Sequence, residues 1–462
     1  MGMETLFKRA ATITQTLADA GYTAYWAGGC VRDGLLGRVP KDIDIATTAT
    51  PDEILKLFPS ARPVGRHFGV VLITVEEHDY DVATFRTEGP YHNGRHPESV
   101  TFCGPEEDAR RRDFTINGLF RNPFTDEVID FVGGRADLKK HIVRAIGDPG
   151  KRFAEDHLRM LRAVRFAATL DFEIEENTLC AIRTHASKIK NISMERIQQE
   201  FSRILLESKL PGDAIVLLKD VGLLEEILPE LMPMIGQEQP PQFHPEGDVF
   251  THTVIMLNDM RPPSLELALA ALLHDVGKPP TAQMGVDKEG NPRIRFNRHA
   301  RVGGEMTEEI LRRLKYPRAV IKAVTHCVND HMRFKDVREM RKSKVRRLIS
   351  APTFPVELEL HRLDCASSHG MLDNYHFLRE KMEEQSNEPV LPPCLLSGND
   401  IMELGIPEGP KVGRWIKMAH DHQLEQETSP THTELREWVR EKIRDENGDA
   451  SPFQETSVSG ST

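Results

Sequence analysis

The period of hydrophobic and polar positions changes once along this chain, and the change divides it. Up to about residue 150, apolar residues come in short β-branched runs, Val70-Val71-Leu72-Ile73-Thr74-Val75 and Tyr80-Asp81-Val82-Ala83-Thr84-Phe85, separated by turn residues. Such runs predict strands, and with the helix-like alternation of residues 1–22 they predict an α+β domain over 1–150. From Arg152 onward apolar residues recur at helical spacing and strand-like runs almost vanish. The Pro/Gln-rich stretch 237–242 predicts a linker, as does 387–393. The expected divisions are a head over 1–150, a helical neck over 151–236, a second helical domain over 243–385, a C-terminal helical segment over 394–446 and a disordered tail over 447–462.

Composition narrows the class. A chain of 462 residues exceeds a single core, and 28% charged against 39% hydrophobic residues fits a soluble globular protein. No apolar run approaches the ~18 residues of a membrane span, so no membrane partner is expected. The first residues lack an apolar core followed by a small-residue cleavage site, so no signal peptide is expected. Six cysteines are scattered without a CxxC pair, which suits a reducing cytoplasm and argues against a cysteine zinc site. The net charge of −11 does not suggest a nucleic-acid binder, but the cations cluster at 110–112, at Arg159, Arg162 and Arg165, and over 338–347. Charge balance therefore neither supports RNA nor excludes it.

The first constellation with chemistry in it is Ala27-Gly28-Gly29-Cys30-Val31-Arg32-Asp33 followed by Lys41-Asp42-Ile43-Asp44-Ile45. Gly28 and Gly29, between an apolar strand and a helix start, let the backbone approach a phosphate and donate N–H groups to it, with Arg32 adding charge. Asp42 and Asp44 are two apart, so on a strand both carboxylates share a face while Ile43 and Ile45 point inward. Such a pair can hold Mg²⁺ between a triphosphate and an attacking hydroxyl. A lone DxD or a lone Gly-Gly is usually a turn. In this order, within twenty residues, the combination is far more specific.

These residues resemble the family of class II tRNA nucleotidyltransferases (CCA-adding enzymes) and bacterial poly(A) polymerases. The likeness continues through Asp44-Ile45-Ala46-Thr47-Thr48-Ala49-Thr50-Pro51, Asp81-Val82-Ala83-Thr84-Phe85-Arg86 and Arg111-Arg112-Asp113-Phe114-Thr115-Ile116-Asn117-Gly118. It implies a polymerase-β-like nucleotidyltransferase head followed by a mostly α-helical body containing an HD-type domain. It also implies that Arg112 and Asp113, with Asn117 in the same motif, contact the nucleotide, and that Asp81 is a third carboxylate. Read without it, Asp81 is an edge acid on the face of Asp79.

Glu155-Asp156-His157-Leu158-Arg159-Met160-Leu161-Arg162-Ala163-Val164-Arg165-Phe166 reads as one helix. Its apolar stripe is core, and Asp156, Arg159, Arg162 and Arg165 form an i, i+3 ridge. Without context the ridge is a solvated face. The resemblance implies that Asp156 and Arg159 read the incoming base, and that Arg162 and Arg165 contact phosphate.

The second half carries His252, then His274-Asp275-Val276-Gly277-Lys278, His299 and Asp364. Imidazoles and carboxylates from several helices can hold a divalent metal that polarises a phosphate and activates water. Their order resembles an HD-superfamily phosphohydrolase domain, so His252, His274, Asp275 and Asp364, with His299 as a weaker member, are expected to hold a second divalent metal. Any single histidine here also fits a core or capping role.

The activity implied is template-independent addition of CCA to the tRNA 3′ end from CTP and ATP. The run at 44–51 and the full-length stretch 86–112, including 94–97, favour this over poly(A) or A-only addition. The basic-aromatic 65–69 leans toward the polyadenylating branch. An alternative of another class is an HD phosphohydrolase with a degenerate head. Oligomeric state is not legible.

Overall fold

The computed structural model describes residues 3–65, 69–76, 78–89, 91–92, 96–97, 99–287, 289–384, 391–426 and 428–447. The basic-aromatic residues 66–68, the loop residues 93–95, most of the second expected linker (387–390) and the tail from 448 lie outside the described residues. The chain forms two compact units: Met1–Asn329 with Ser367–His369, and Asp330–Ala366 with Gly370–Thr462.

The first unit opens with the helix Met3–Asp19, whose Ala10, Ile13 and Leu17 are buried at helical spacing. Beyond it lies a seven-stranded sheet. Its order runs Val128–Asp130, Leu119–Arg121, Ala24–Ala27, Asp44–Thr47, His78–Thr84, Val70–Val75, Arg62–Gly65. All neighbours pair antiparallel except Asp44–Thr47 with His78–Thr84, which run parallel at the middle of the sheet. The run 70–75 forms the expected strand, because its alternating residues Val71 and Ile73 are buried. An aromatic cluster of Tyr25, Phe85 and Phe120 fills one face; the Phe85 and Phe120 rings meet edge-on at 5.6 Å.

Helices then take over: Pro149–Glu155, Leu158–Leu170, Glu176–His185 and Met194–Glu207 make the neck. Val249–Asp259 and Leu265–Leu273, apolar throughout except for Glu266, follow, the latter buried from Leu267 to Leu273. Two features depart from the sequence reading. Strands do return, as the hairpin Ala282–Val286 with Pro292–Phe296, whose alternation of Ala282, Met284 and Val286 and of Ile294 and Phe296 with Gln283, Arg293 and Arg295 is a strand signal the reading passed over. And residues 237–242, irregular as a linker should be, are anchored: Gln239 is buried and accepts a hydrogen bond from Lys278 Nζ at 2.5 Å.

The second unit has two cores. Phe334, Val337, Leu348, Phe354 and Leu378 close one around Lys342–Ile349, Phe354–Ala366 and Asp373–Glu384. Trp415, Ala419, Leu435 and Val439 close the other around Pro410–Glu425 and His432–Asn447.

Candidate active site

The strand Ala24–Ala27 passes into the helix Gly29–Leu35 through Gly28, whose φ of +70° is the left-handed region that glycine adopts without strain. A Cβ on Gly28 would also lie 2.9 Å from Arg112 Nη1 and would push that guanidinium aside. In the helix itself, Arg32 is buried and donates from Nη1 to Asn117 Oδ1 at 2.7 Å and from Nε to Asp33 Oδ1 at 2.8 Å.

This turn forms part of a cleft of about 1140 Å³. The cleft is lined by Gly28, Gly29, Arg32, Asp42, Asp44, Asp81, Arg112, Asp113, Asn117, Asp156, Arg159, Arg162 and Arg165. The fold thus gathers every residue expected at the transferase site into one cavity, from segments up to 137 positions apart in sequence. Ten cationic and seven acidic side chains line it, a surplus of positive charge that suits a polyphosphate.

Asp42 lies in the extended link before the strand Asp44–Thr47, not on it. The reason is local: Asp44 pairs with Ala27, the last residue of its partner strand, and beyond Ala27 that chain turns away into the glycine turn. Burial still alternates, with Ile43 and Ile45 at 2% and 1% exposure, so Asp42 and Asp44 share the outer face. The parallel register Ile45↔Val82 sets Asp81 beside Asp44. Desolvation, then the charges of Asp42 and Asp81, push the Asp44 carboxyl up to about 6 against the opposing pull of Arg112. Burial and Asp42 raise Asp81 as well. A carboxyl raised by neighbouring carboxylates marks a place short of positive charge. With oxygen donors only, the three residues fit a hard divalent cation of the Mg²⁺ kind.

Arg112 lies beside them, held by Asp108 (3.0 Å from Nη2) and by the Asn117 carbonyl (3.3 Å from Nη1). Asp113 is tied to the neck. It accepts from Phe114 N, Asn117 Nδ2 and Arg162, the last at 2.9 Å from Nε and 2.7 Å from Nη2. Burial alone would raise this carboxyl; Arg162 and Asn117 outweigh it and hold the group down at about 2. Arg165 is 3% exposed and engaged by Glu200 at 2.6 Å, with its guanidinium 4.1 Å from the Phe166 ring centre.

The expected single helix over 155–166 is broken. Pro149–Glu155 ends at Asp156, whose backbone is extended, and a new helix runs Leu158–Leu170. Asp156 therefore stands at a helix junction rather than on an i, i+3 ridge, where its Oδ1 accepts from Leu158 N at 3.0 Å. Arg196, which the sequence reading missed, donates to it at 2.8 Å. Arg159 is buried and held by Glu155 at 2.6 Å and by the Arg152 carbonyl at 3.1 Å. Arg38, Lys41, Arg203 and Glu207 also line the cleft and were missed, since their approach depends on the tertiary fold.

A second cluster lies in the same unit. His252, His274 and Asp275 are buried, each with a donor atom within 4.8 Å of the others. His274 Nε2 lies 3.0 Å from Asp275 Oδ2, and His299 Nε2 lies 3.6 Å from Asp275 Oδ1. Lys278 Nζ is 2.6 Å from Asp275 Oδ2. Burial works to raise the Asp275 carboxyl, but His274 and Lys278 hold it well below the usual range. Burial lowers His299, which favours its neutral, ligand-competent form. His244 and Glu246 join this cluster and carried no sequence signal beyond their place beside the Pro/Gln-rich stretch. Asp364 lies on Phe354–Ala366, a helix of the second unit.

Residues 24–144 match the poly A polymerase head domain, 171–235 the probable RNA- and SrmB-binding site of polymerase A, and 248–359 the HD domain. A CCA-adding enzyme of Bacillus cytotoxicus is 45% identical over 200 residues, covering 43% of this chain and 50% of the relative. One from Enterococcus faecalis is 47% identical over 201 residues, covering 43% and 49%. The chain thus spans about half the length of the curated relatives it matches. The crystal structure of the Bacillus stearothermophilus CCA-adding enzyme in complex with CTP superposes with a TM-score of 0.73 at 27% identity, covering 96% of this chain and 99% of that one. No helix among the described residues is long and apolar enough to cross a membrane.

Proposed function

We propose that this chain, which belongs to the nucleotidyltransferase family that joins a poly A polymerase head to an RNA-binding neck and an HD domain, adds CCA to the 3′ end of tRNA from CTP and ATP. The observation that carries the reading is the single cleft. Its carboxylates Asp42, Asp44 and Asp81 and its candidate base-reading pair Asp156 and Arg159 line the same cavity.

In this reading Asp42 and Asp44, with Asp81, hold Mg²⁺, which neutralises triphosphate charge and lowers the cost of forming the RNA 3′-alkoxide. The chain's own residues do the positioning. The backbone at Gly28 and Gly29 admits a phosphate closely, and Arg112 offers a guanidinium next to it. Asp113, held by Arg162, presents a fixed acceptor toward the sugar. Asp156 offers carboxylate oxygens and Arg159 guanidinium N–H groups, a donor–acceptor pattern that the edges of C and A can complement and that replaces a template. The 3′-hydroxyl attacks the α-phosphorus, the bond to the β-phosphate oxygen breaks and pyrophosphate leaves. Catalysis here comes from alignment and charge neutralisation. In this reading the neck over 151–236 binds the RNA, and the helical tail from the Gly409–Gly413 turn onward supplies part of the grip. The six free cysteines fit action in the reducing cytoplasm.

The test is tRNA lacking its 3′ end, incubated with labelled CTP, ATP and Mg²⁺. Incorporation of two C and one A, then arrest, is the expected result. Long A tails would redirect the reading to poly(A) synthesis, and no incorporation would overturn it. The buried His252–His274–Asp275 cluster favours a second, separate reaction, metal-assisted hydrolysis of a phosphate ester, in the same chain.

A further inference from the structure

We propose that Asp108, a buried residue that does not itself line the cleft, is a positioning residue of the transferase site. Its two carboxylate oxygens set Arg111 and Arg112 side by side as a paired clamp for the triphosphate of the incoming nucleotide. This role rests on the reading of the cleft as a nucleotide site.

The local sequence sorts three consecutive arginines. Asp108 sits in the helix Pro105–Arg111, which opens on proline, carries its acids in the first turn and ends on Arg110 and Arg111, as the helix dipole favours. Residues three and four apart share a helix face, so Asp108 meets Arg111 and Arg112. Arg110, two positions on, points elsewhere and pairs with Glu106 at 2.7 Å.

Each oxygen of Asp108 serves one arginine. Oδ1 accepts from Arg111 Nε at 2.9 Å and lies 2.7 Å from its Nη2. Oδ2 accepts from Arg112 Nε at 3.1 Å and from Nη2 at 3.0 Å. Oδ1 also takes the backbone N–H of Arg86 at 3.2 Å, so the carboxylate is anchored to the chain just beyond the strand that carries Asp81. Arg112 stands past the helix end on extended backbone and would otherwise be loosely held. Asp108 takes its Nε–Nη2 edge, the Asn117 carbonyl takes Nη1 at 3.3 Å, and the Phe120 ring centre lies 5.0 Å from the guanidinium. One hydrogen on Nη1 and one on Nη2 remain for a ligand.

Two adjacent guanidiniums repel, and an anion between them is what lets both face one cavity. Burial works to raise the Asp108 carboxyl, but Arg112 and then Arg111 outweigh it and hold the group below the usual range. One negative charge against two positive ones leaves a surplus of one, and both arginines line the cleft. That sign suits a polyphosphate. Asparagine at 108 would offer one oxygen in place of two, with its NH₂ group facing a guanidinium.

The test is calorimetric titration of the full-length protein with CTP, CMP and pyrophosphate in Mg²⁺. Wild type is expected to bind CTP more tightly than CMP. Asp108→Asn is expected to weaken CTP and pyrophosphate by about tenfold and CMP by less than about twofold. A general loss of structure would weaken CTP and CMP alike. Asp108→Glu, which keeps the charge, is expected to weaken CTP by a smaller factor, and it carries the same test should the Asn variant not fold. Equal loss for CTP and CMP, or no loss for either, overturns the role of Asp108. Wild type that binds neither CTP nor pyrophosphate overturns the reading of the cleft itself.

Discussion

Arg196 donates to Asp156 from both terminal nitrogens, Nη2 at 2.8 Å and Nη1 at 3.3 Å, and so fixes a carboxylate that stands in the break between two helices. A side chain on extended backbone has no helix to hold it, and this pair supplies the constraint. Hydrogen bonds between charged groups are worth about 1.5–3 kcal/mol, less where solvent reaches them, as it partly does here. Arg196→Ala is therefore expected to reduce discrimination between C and A by about tenfold while slowing correct addition less. Single-nucleotide misincorporation on tRNA ending before each position measures it. Unchanged discrimination with a lower Tm would show the pair to be structural only.

Asp44 gives a pH prediction whose sign follows from its environment. Its folded carboxyl is pushed up to about 6 from a usual value near 3.8, mainly by desolvation and by Asp42 and Asp81. Between those values the folded state binds more protons than the unfolded one, so stability falls as pH rises through that window. Asp44→Asn removes the penalty and is expected to raise Tm by about 1–3 °C at pH 7.5 without Mg²⁺, with no gain below about pH 4. Nucleotide transfer in the variant should be abolished. Phosphate-ester hydrolysis at the histidine cluster should persist.

Arg162 and Asp113 form the opposite case. Asp113 is held down at about 2, because Arg162 and Asn117 outweigh its burial. Its contribution to stability is present above the ordinary carboxyl value and is lost as pH falls from about 4 toward 2. Arg162→Ala leaves a buried carboxylate without its main partner, and is expected to cost about 2 kcal/mol at pH 7 after allowance for the partial exposure of the arginine. Urea melts at pH 7 and pH 3 test this: the difference between variant and wild type should shrink at the lower pH.

These residues show where local sequence carries structure and where it stops. Ile43 and Ile45 were legible, because alternation on a buried strand is a local property, and it survives although the strand itself begins only at Asp44. That late start was not legible, since it depends on where the partner strand ends, at Ala27. The break at Asp156 was hidden because Glu-Asp-His-Leu-Arg contains no glycine or proline. The available signal was an aspartate able to cap the following helix, which it does through Leu158 N. Arg196, Glu200 and Glu207 lie on a helix that reads as ordinary amphipathic packing, and only the fold brings them against Asp156, Arg165 and Lys41. Glu246 was masked by its Pro/Gln-rich surroundings.

Lys41 precedes Asp42, the first carboxylate of the proposed metal site, and reaches Glu207 at 3.1 Å, while Arg203 reaches the same glutamate at 3.2 Å. One carboxylate shared by these two cations, with Arg165 Nη1 a third at 3.9 Å, leaves a positive edge on the cleft, formed by residues other than Arg112 and Arg162, which serve the nucleotide side in the proposed mechanism. An RNA strand entering with its 3′-hydroxyl toward Asp42 brings one phosphate per residue past such an edge. Lys41 is 80% exposed, so its loss should leave the fold intact. Lys41→Ala is expected to raise KM for the RNA acceptor about three- to tenfold, leave KM for CTP unchanged, and reduce the slope of log affinity against log salt by about 0.7, one phosphate contact on a single strand. Lys41→Arg should restore most of the affinity. A rise in KM for CTP instead would assign this edge to the triphosphate and place the acceptor strand elsewhere in the cleft.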